Sequence, residues 1–147
     1  MSRSSLSSAF STGVAVYVYF LAVTPALIVY LLVRGTYPSV AILVPVATMW
    51  AALPLAVLHA CIFRSYWRPT WFRSCILGAL FGIFSAIATF LMGIEMHGGH
   101  PHEHLSWLDL NTPLQMGCLA GLLFGAVLFV VARSRASRRH GSALQEG

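Results

Sequence analysis

Four of the six histidines in this chain, His97, His100, His102 and His104, fall within eight residues. Gly98, Gly99, Pro101 and Glu103 separate them. Neutral imidazole nitrogen binds zinc, copper and nickel, and alternating His-x-His sets several donors around one ion without a prior fold. Thioether sulfur, a soft donor suited to Cu(I), stands on both sides of the segment. Met92 and Met96 are four apart and share a helical face, and Met116 follows. These seven residues are the candidate metal ligands, for copper, zinc or nickel. Plainer readings stand beside this one. Clustered histidines gain charge between about pH 5 and 7 and would sense protons. A polar, His-rich stretch also serves as a simple connector, and methionine fills gaps in apolar packing. Glu95 is the candidate proton or gating group, because an acid at the edge of a membrane span is costly without a role.

A second constellation is smaller. His59, Cys61 and Cys75 could form a thiol–imidazole site, although a lone histidine near an interface is commonly satisfied by a carbonyl or water. Cys118 is placed too far from the other two cysteines to pair with them. No Gly-x-Ser-x-Gly, His-Glu-x-x-His or phosphate-binding glycine loop occurs. The expectation is a non-enzyme.

The elements that would position these groups are four apolar stretches, about 13–33, 40–63, 74–94 and 113–132. A hydrocarbon core about 30 Å thick needs roughly 20 apolar residues in a helix to cross it. Hydrophobic residues make up 58% of the 147 and charged residues 9%, too few charges for a water-soluble surface. The fold expected is an all-α membrane bundle of four antiparallel transmembrane helices in a single polytopic domain. The first stretch is longer than the 7–15 residues typical of a signal peptide and is expected to remain as a helix.

Charge sets the orientation. All nine basic residues are arginine. Arg3, then Arg64, Arg68 and Arg73, then Arg133, Arg135, Arg138 and Arg139 fall on one side, and Arg34 alone on the other. Positive residues in short loops stay cytoplasmic. Both termini are therefore expected inside a bacterial-type inner (plasma) membrane. The His-rich loop 95–112 faces outward, and residues 133–147 form a basic cytoplasmic tail. Orientation alone accounts for those arginines, so no nucleic-acid partner is expected. Arg64, Trp67, Arg68, Trp71 and Arg73 read as an interfacial anchor among anionic headgroups of the lipid bilayer. The Ser-rich start, Ser2 to Thr12, reads as polar, and partly disordered or interfacial.

Three further patterns concern packing. Gly78 and Gly82, with Ala86, are spaced by four, as are Gly117, Gly121 and Gly125. Each set is a smooth stripe that lets another backbone approach closely. Either spans three and four pack on one another, or a stripe contacts a second copy or a partner membrane subunit. Cys75–Gly82 and Cys118–Gly125 match at five of eight positions, a weak sign of an inverted repeat set against the abundance of Gly and Leu in any span. Thr112-Pro-Leu-Gln115 reads as a capping box opening span four. Pro45 and Pro54 are expected to kink span two. The function expected is a small transporter or transport accessory handling a transition metal or protons through the outer loop. The alternative is a non-catalytic interaction module, an assembly subunit or immunity-type protein, docking partner helices through its glycine stripes.

Overall fold

The computed structural model describes residues 3–96 and 107–145. It is all-helical, and its elements in chain order begin with α1 (Arg3–Ala9) and α2 (Thr12–Val18). A π-helical turn (Tyr19–Val23) runs directly into α3 (Thr24–Val33). Next come α4 (Pro38–Ser65), α5 (Trp71–Met96) and α6 (Trp107–Gln145). Four stretches, Thr12–Val33, Pro38–Ser65, Trp71–Met92 and Asn111–Arg138, are long and apolar enough to cross a membrane. Large apolar side chains such as Leu43, Phe84 and Val130 point away from the bundle and are exposed. A soluble monomer rarely displays apolar surface on that scale, whereas lipid covers it at no cost.

Two local expectations are corrected. The Ser-rich start is ordered as α1, and Phe10 just after it is fully buried. Phe10 stacks on Phe63 with ring centroids 5.3 Å apart. The Ser11 hydroxyl caps α2 by accepting from the Val14 amide at 3.4 Å. Polarity by composition hid one apolar face, Leu6, Ala9 and Phe10, which packs on or within the core. Thr112 is the second correction. It does not cap a helix, because α6 already begins at Trp107 and Pro113 lies inside it. Within a helix the amide that Thr112 would cap already has a carbonyl partner four residues back. Gln115 accepts instead from Arg34 Nη2 and donates to Asn111 Oδ1, each at 3.3 Å. It thereby ties the α3–α4 turn to the start of α6.

The π-helical turn has a local cause. Pro25 has no amide to continue the ladder, and the Thr24 amide reaches back five residues to the Tyr19 carbonyl. The Thr24 hydroxyl donates to the same carbonyl at 3.3 Å. The turn brings both Tyr19 and Val23 to the interior.

The most extensive junction joins α5 to α6. A Cβ on Gly78 would collide with the Gly121 carbonyl oxygen, one on Gly82 with that of Gly117, and one on Gly125 with that of Ser74. Position numbers rise along one helix as they fall along the other. Only glycine permits two helix backbones to approach so closely. By contrast α3 barely touches α6. The tight seam on one side and the loose one on the other leave space within the bundle.

Candidate functional site

That space is a cavity of about 360 Å³, walled by the π-helical turn, α3, α4, α5 and α6. At one end stand Leu31, Phe90 and Thr112, close to the Arg34–Gln115 link. At the other end Ala56, Phe81 and Phe124 form the floor. Gly78, Gly82, Gly117 and Gly121 line it as well, so the α5–α6 seam forms one wall. The hydroxyls on its surface are those of Tyr19, Thr48, Ser85, Thr89 and Thr112. Thr48 donates to the Pro45 carbonyl at 3.0 Å and Thr89 to the Ser85 carbonyl at 2.8 Å. Those two protons are committed to helix backbone, so the Tyr19, Ser85 and Thr112 hydroxyls are the polar groups left on an otherwise apolar wall. Among the described residues no acid, arginine, histidine or cysteine lines the cavity. An unpaired ion placed there would lose several kcal/mol of hydration with nothing in return. An apolar molecule would lose nothing of the kind. Small-molecule sites run from about 300 to 1,000 Å³ with mostly apolar walls and a few polar groups. This cavity falls at the small end of that range.

Beneath the floor lies the polar centre of the bundle. His59 of α4 is fully buried, with its ring between Phe63 at 5.1 Å, Phe124 at 5.3 Å and Phe81 at 6.2 Å between centroids. Its Nε2 lies 3.1 Å from the Ser74 hydroxyl, which donates to the Gly125 carbonyl at 2.7 Å. Since the serine proton is committed to that carbonyl, the serine oxygen must accept from His59. Nε2 is therefore the ring nitrogen that carries the proton in this contact. Nδ1 is buried without a hydrogen-bond partner. One histidine thus fastens α4 to α5 and, through serine, to α6. Gly125 is required at this point because a side chain would strike the Ser74 backbone.

The sequence-derived candidates are distributed unevenly around this centre. His97, His100, His102 and His104 lie outside the described residues. Glu95 and Met96 belong to the last turn of α5, with their side chains outside the described set. Met116 lines the cavity, Met49 packs on the core, and Met92 is 42% exposed. Among the described residues no group of three or more His, Cys, Asp or Glu is placed to hold a metal ion. His59 has taken a hydroxyl as partner rather than a thiol, while Cys61 is exposed and Cys75 half-buried. The five glycines lie against one another, so a partner helix using them would first have to part α5 from α6. Arg64, Trp67, Arg68, Trp71 and Arg73 are exposed around the α4–α5 turn, with the Arg73 guanidinium 5.6 Å from the Trp67 ring centre. Ser74 was not singled out from the sequence. Its only signal was a hydroxyl one step from Cys75 at the start of an apolar run.

No family model matches this chain, and neither a curated protein nor a solved structure matches it.

Proposed function

We propose that this chain is a non-enzymatic, multi-pass protein of a bacterial-type plasma membrane that holds a largely apolar small molecule inside its bundle, as a small transporter or transport accessory. In this reading the four helices are antiparallel and both termini are cytoplasmic. The observation that carries the cargo assignment is the 360 Å³ cavity, with its apolar walls and no charged group among its described lining residues. The arginine distribution supports the orientation. The glycine stripes act as the internal seam that shapes one wall of the cavity. Ala120 faces the cavity and offers the test. Ala120→Phe should obstruct the space and abolish retention of a neutral long-chain alcohol probe, read by native mass spectrometry of protein released from nanodiscs. Retention equal to that of the parent would overturn the cargo reading.

A second reading concerns the mouth. The segment carrying four histidines connects the ends of α5 and α6, and Phe90 and Thr112 near those ends line the outer part of the cavity. A transition metal or a proton taken there would act at the entrance, as a regulator of access, and would not travel through the apolar interior.

A further inference from the structure

A second concavity, about 580 Å³, lies at the opposite end of the bundle, where the apolar part of α4 gives way to Arg64. Its walls come from α1, the end of α4, the α4–α5 turn and α6. Three arginines, Arg64, Arg68 and Arg133, line it, and none of its lining residues is acidic. Three of the chain's four acids, Glu95, Glu103 and Asp109, sit at or between the far ends of α5 and α6. The floor is of a different kind. Phe63 is buried and stacks beneath Trp67, with ring centroids 6.1 Å apart, and Phe129 and Trp71 form a T-shaped pair with centroids 5.8 Å apart. Ser65 and Thr70 add hydroxyls at the rim.

We propose that this groove is a site for one anionic phospholipid, with its phosphodiester held by Arg64, Arg68 and Arg133 and its glycerol and upper acyl chains resting on Trp67, which Phe63 backs from beneath, and on the edge of Phe129. The guanidinium fork matches the geometry of phosphate oxygens. Basic pockets between membrane helices take anionic headgroups for this reason. The amphipathic pairing of basic rim and aromatic floor selects a lipid over free inorganic phosphate, which would gain nothing from the rings. Tryptophan at the headgroup level fixes the depth of the groove. A loose anchor needs only arginines scattered along the interface. Here the helix α6 contributes an arginine to the same concavity as the α4–α5 turn, which defines a single occupant. The inference does not depend on which face of the membrane is cytoplasmic.

The test uses the full chain in nanodiscs of phosphatidylcholine containing a minority of phosphatidylglycerol, released into native mass spectrometry. The parent should retain one phosphatidylglycerol in preference to phosphatidylcholine. Arg64→Gln/Arg68→Gln/Arg133→Gln should lower that preference on the order of a hundredfold, about fivefold for each arginine. Arg135→Gln/Arg138→Gln, in the tail outside the groove, should leave it intact. Equal loss in both variants, or no preference in the parent, would overturn the site. Displacement of the lipid by excess inorganic phosphate would overturn the lipid assignment in favour of a phosphate site. If the triple variant loses its helical circular dichroism, the three single variants decide. A loss in each supports the site, and unchanged retention in all three overturns it.

Discussion

Replacing Gly82 with alanine sets two effects of opposite sign against each other. Alanine is the better helix former by about 1 kcal/mol, so an isolated α5 would gain. In the bundle, the new methyl group meets the Gly117 carbonyl oxygen, its carbonyl carbon at 2.8 Å and the Gly121 Cα at 3.1 Å. All three atoms are backbone and cannot swing aside. Carbon atoms rest at about 3.5–4.0 Å, so α6 must retreat by roughly an ångström. Both helices are rigid, and the retreat also loosens the Gly78–Gly121 and Ser74–Gly125 contacts. Contacts this short with immobile backbone place the cost in the upper part of the range for overpacking, about 2–3 kcal/mol, which exceeds the propensity gain. The expected net loss is on the order of 1–2 kcal/mol, a factor of about 5–30 in the folded-to-unfolded ratio. The assay is reversible unfolding in mixed micelles titrated with dodecyl sulfate. Gly141→Ala is the internal control, because nothing lies within 4 Å of the added methyl group. It should be neutral or stabilising by up to about 1 kcal/mol. A Gly82→Ala protein as stable as the parent would refute the α5–α6 seam.

Ser74→Ala removes the partner of His59 Nε2 and should destabilise by about 1–3 kcal/mol in the same assay. His59→Leu removes the unpartnered Nδ1 together with the donor and should lose less, so the reverse ranking would contradict the hydrogen-bond direction inferred here. Joint replacement of His97, His100, His102 and His104 by alanine should abolish copper, zinc or nickel in protein purified without chelators. Unchanged metal content on elemental analysis would exclude the loop as the ligand set. Reporters fused at Gly99 and after the C-terminus should read outside and inside respectively, and an inward Gly99 would overturn the orientation.

The four spans were legible because a helix that crosses hydrocarbon demands a long apolar run, and such runs stand out in the sequence. Their ends were not. Helices α4 and α6 continue past Phe63 and Ala132 through Ser65 and Gln145, where headgroups and water no longer require apolar residues. The start of α6 shows the same limit, since Thr112-Pro113 carries the chemistry of a cap yet sits inside a helix held by the Asn111–Gln115–Arg34 links. Spacing by four puts each set of glycines on one face, but whether two such faces meet is a property of tertiary register. The cavity is likewise a consequence of uneven helix separation, and the π-helical turn that turns Tyr19 and Val23 toward it arises from a proline effect on the ladder. His59 and Ser74 are 15 residues apart across a turn, and only the packed α4–α5 pair aligns them. A lone histidine in an apolar run carries no sign of which neighbour will satisfy it.

In the function proposed here the interior of the bundle, and not only its lipid-facing surface, receives an apolar molecule. A neutral long-chain alcohol carrying a photoreactive diazirine, crosslinked in the membrane and mapped by peptide mass spectrometry, reads which surface the molecule contacts. Labels are expected on inward residues of α5 and α6, Ser85, Met116 and Ala120 among them, and Ala120→Phe should remove them. Labels confined to outward residues such as Leu43, Phe84 and Val130, unchanged by Ala120→Phe, would contradict it.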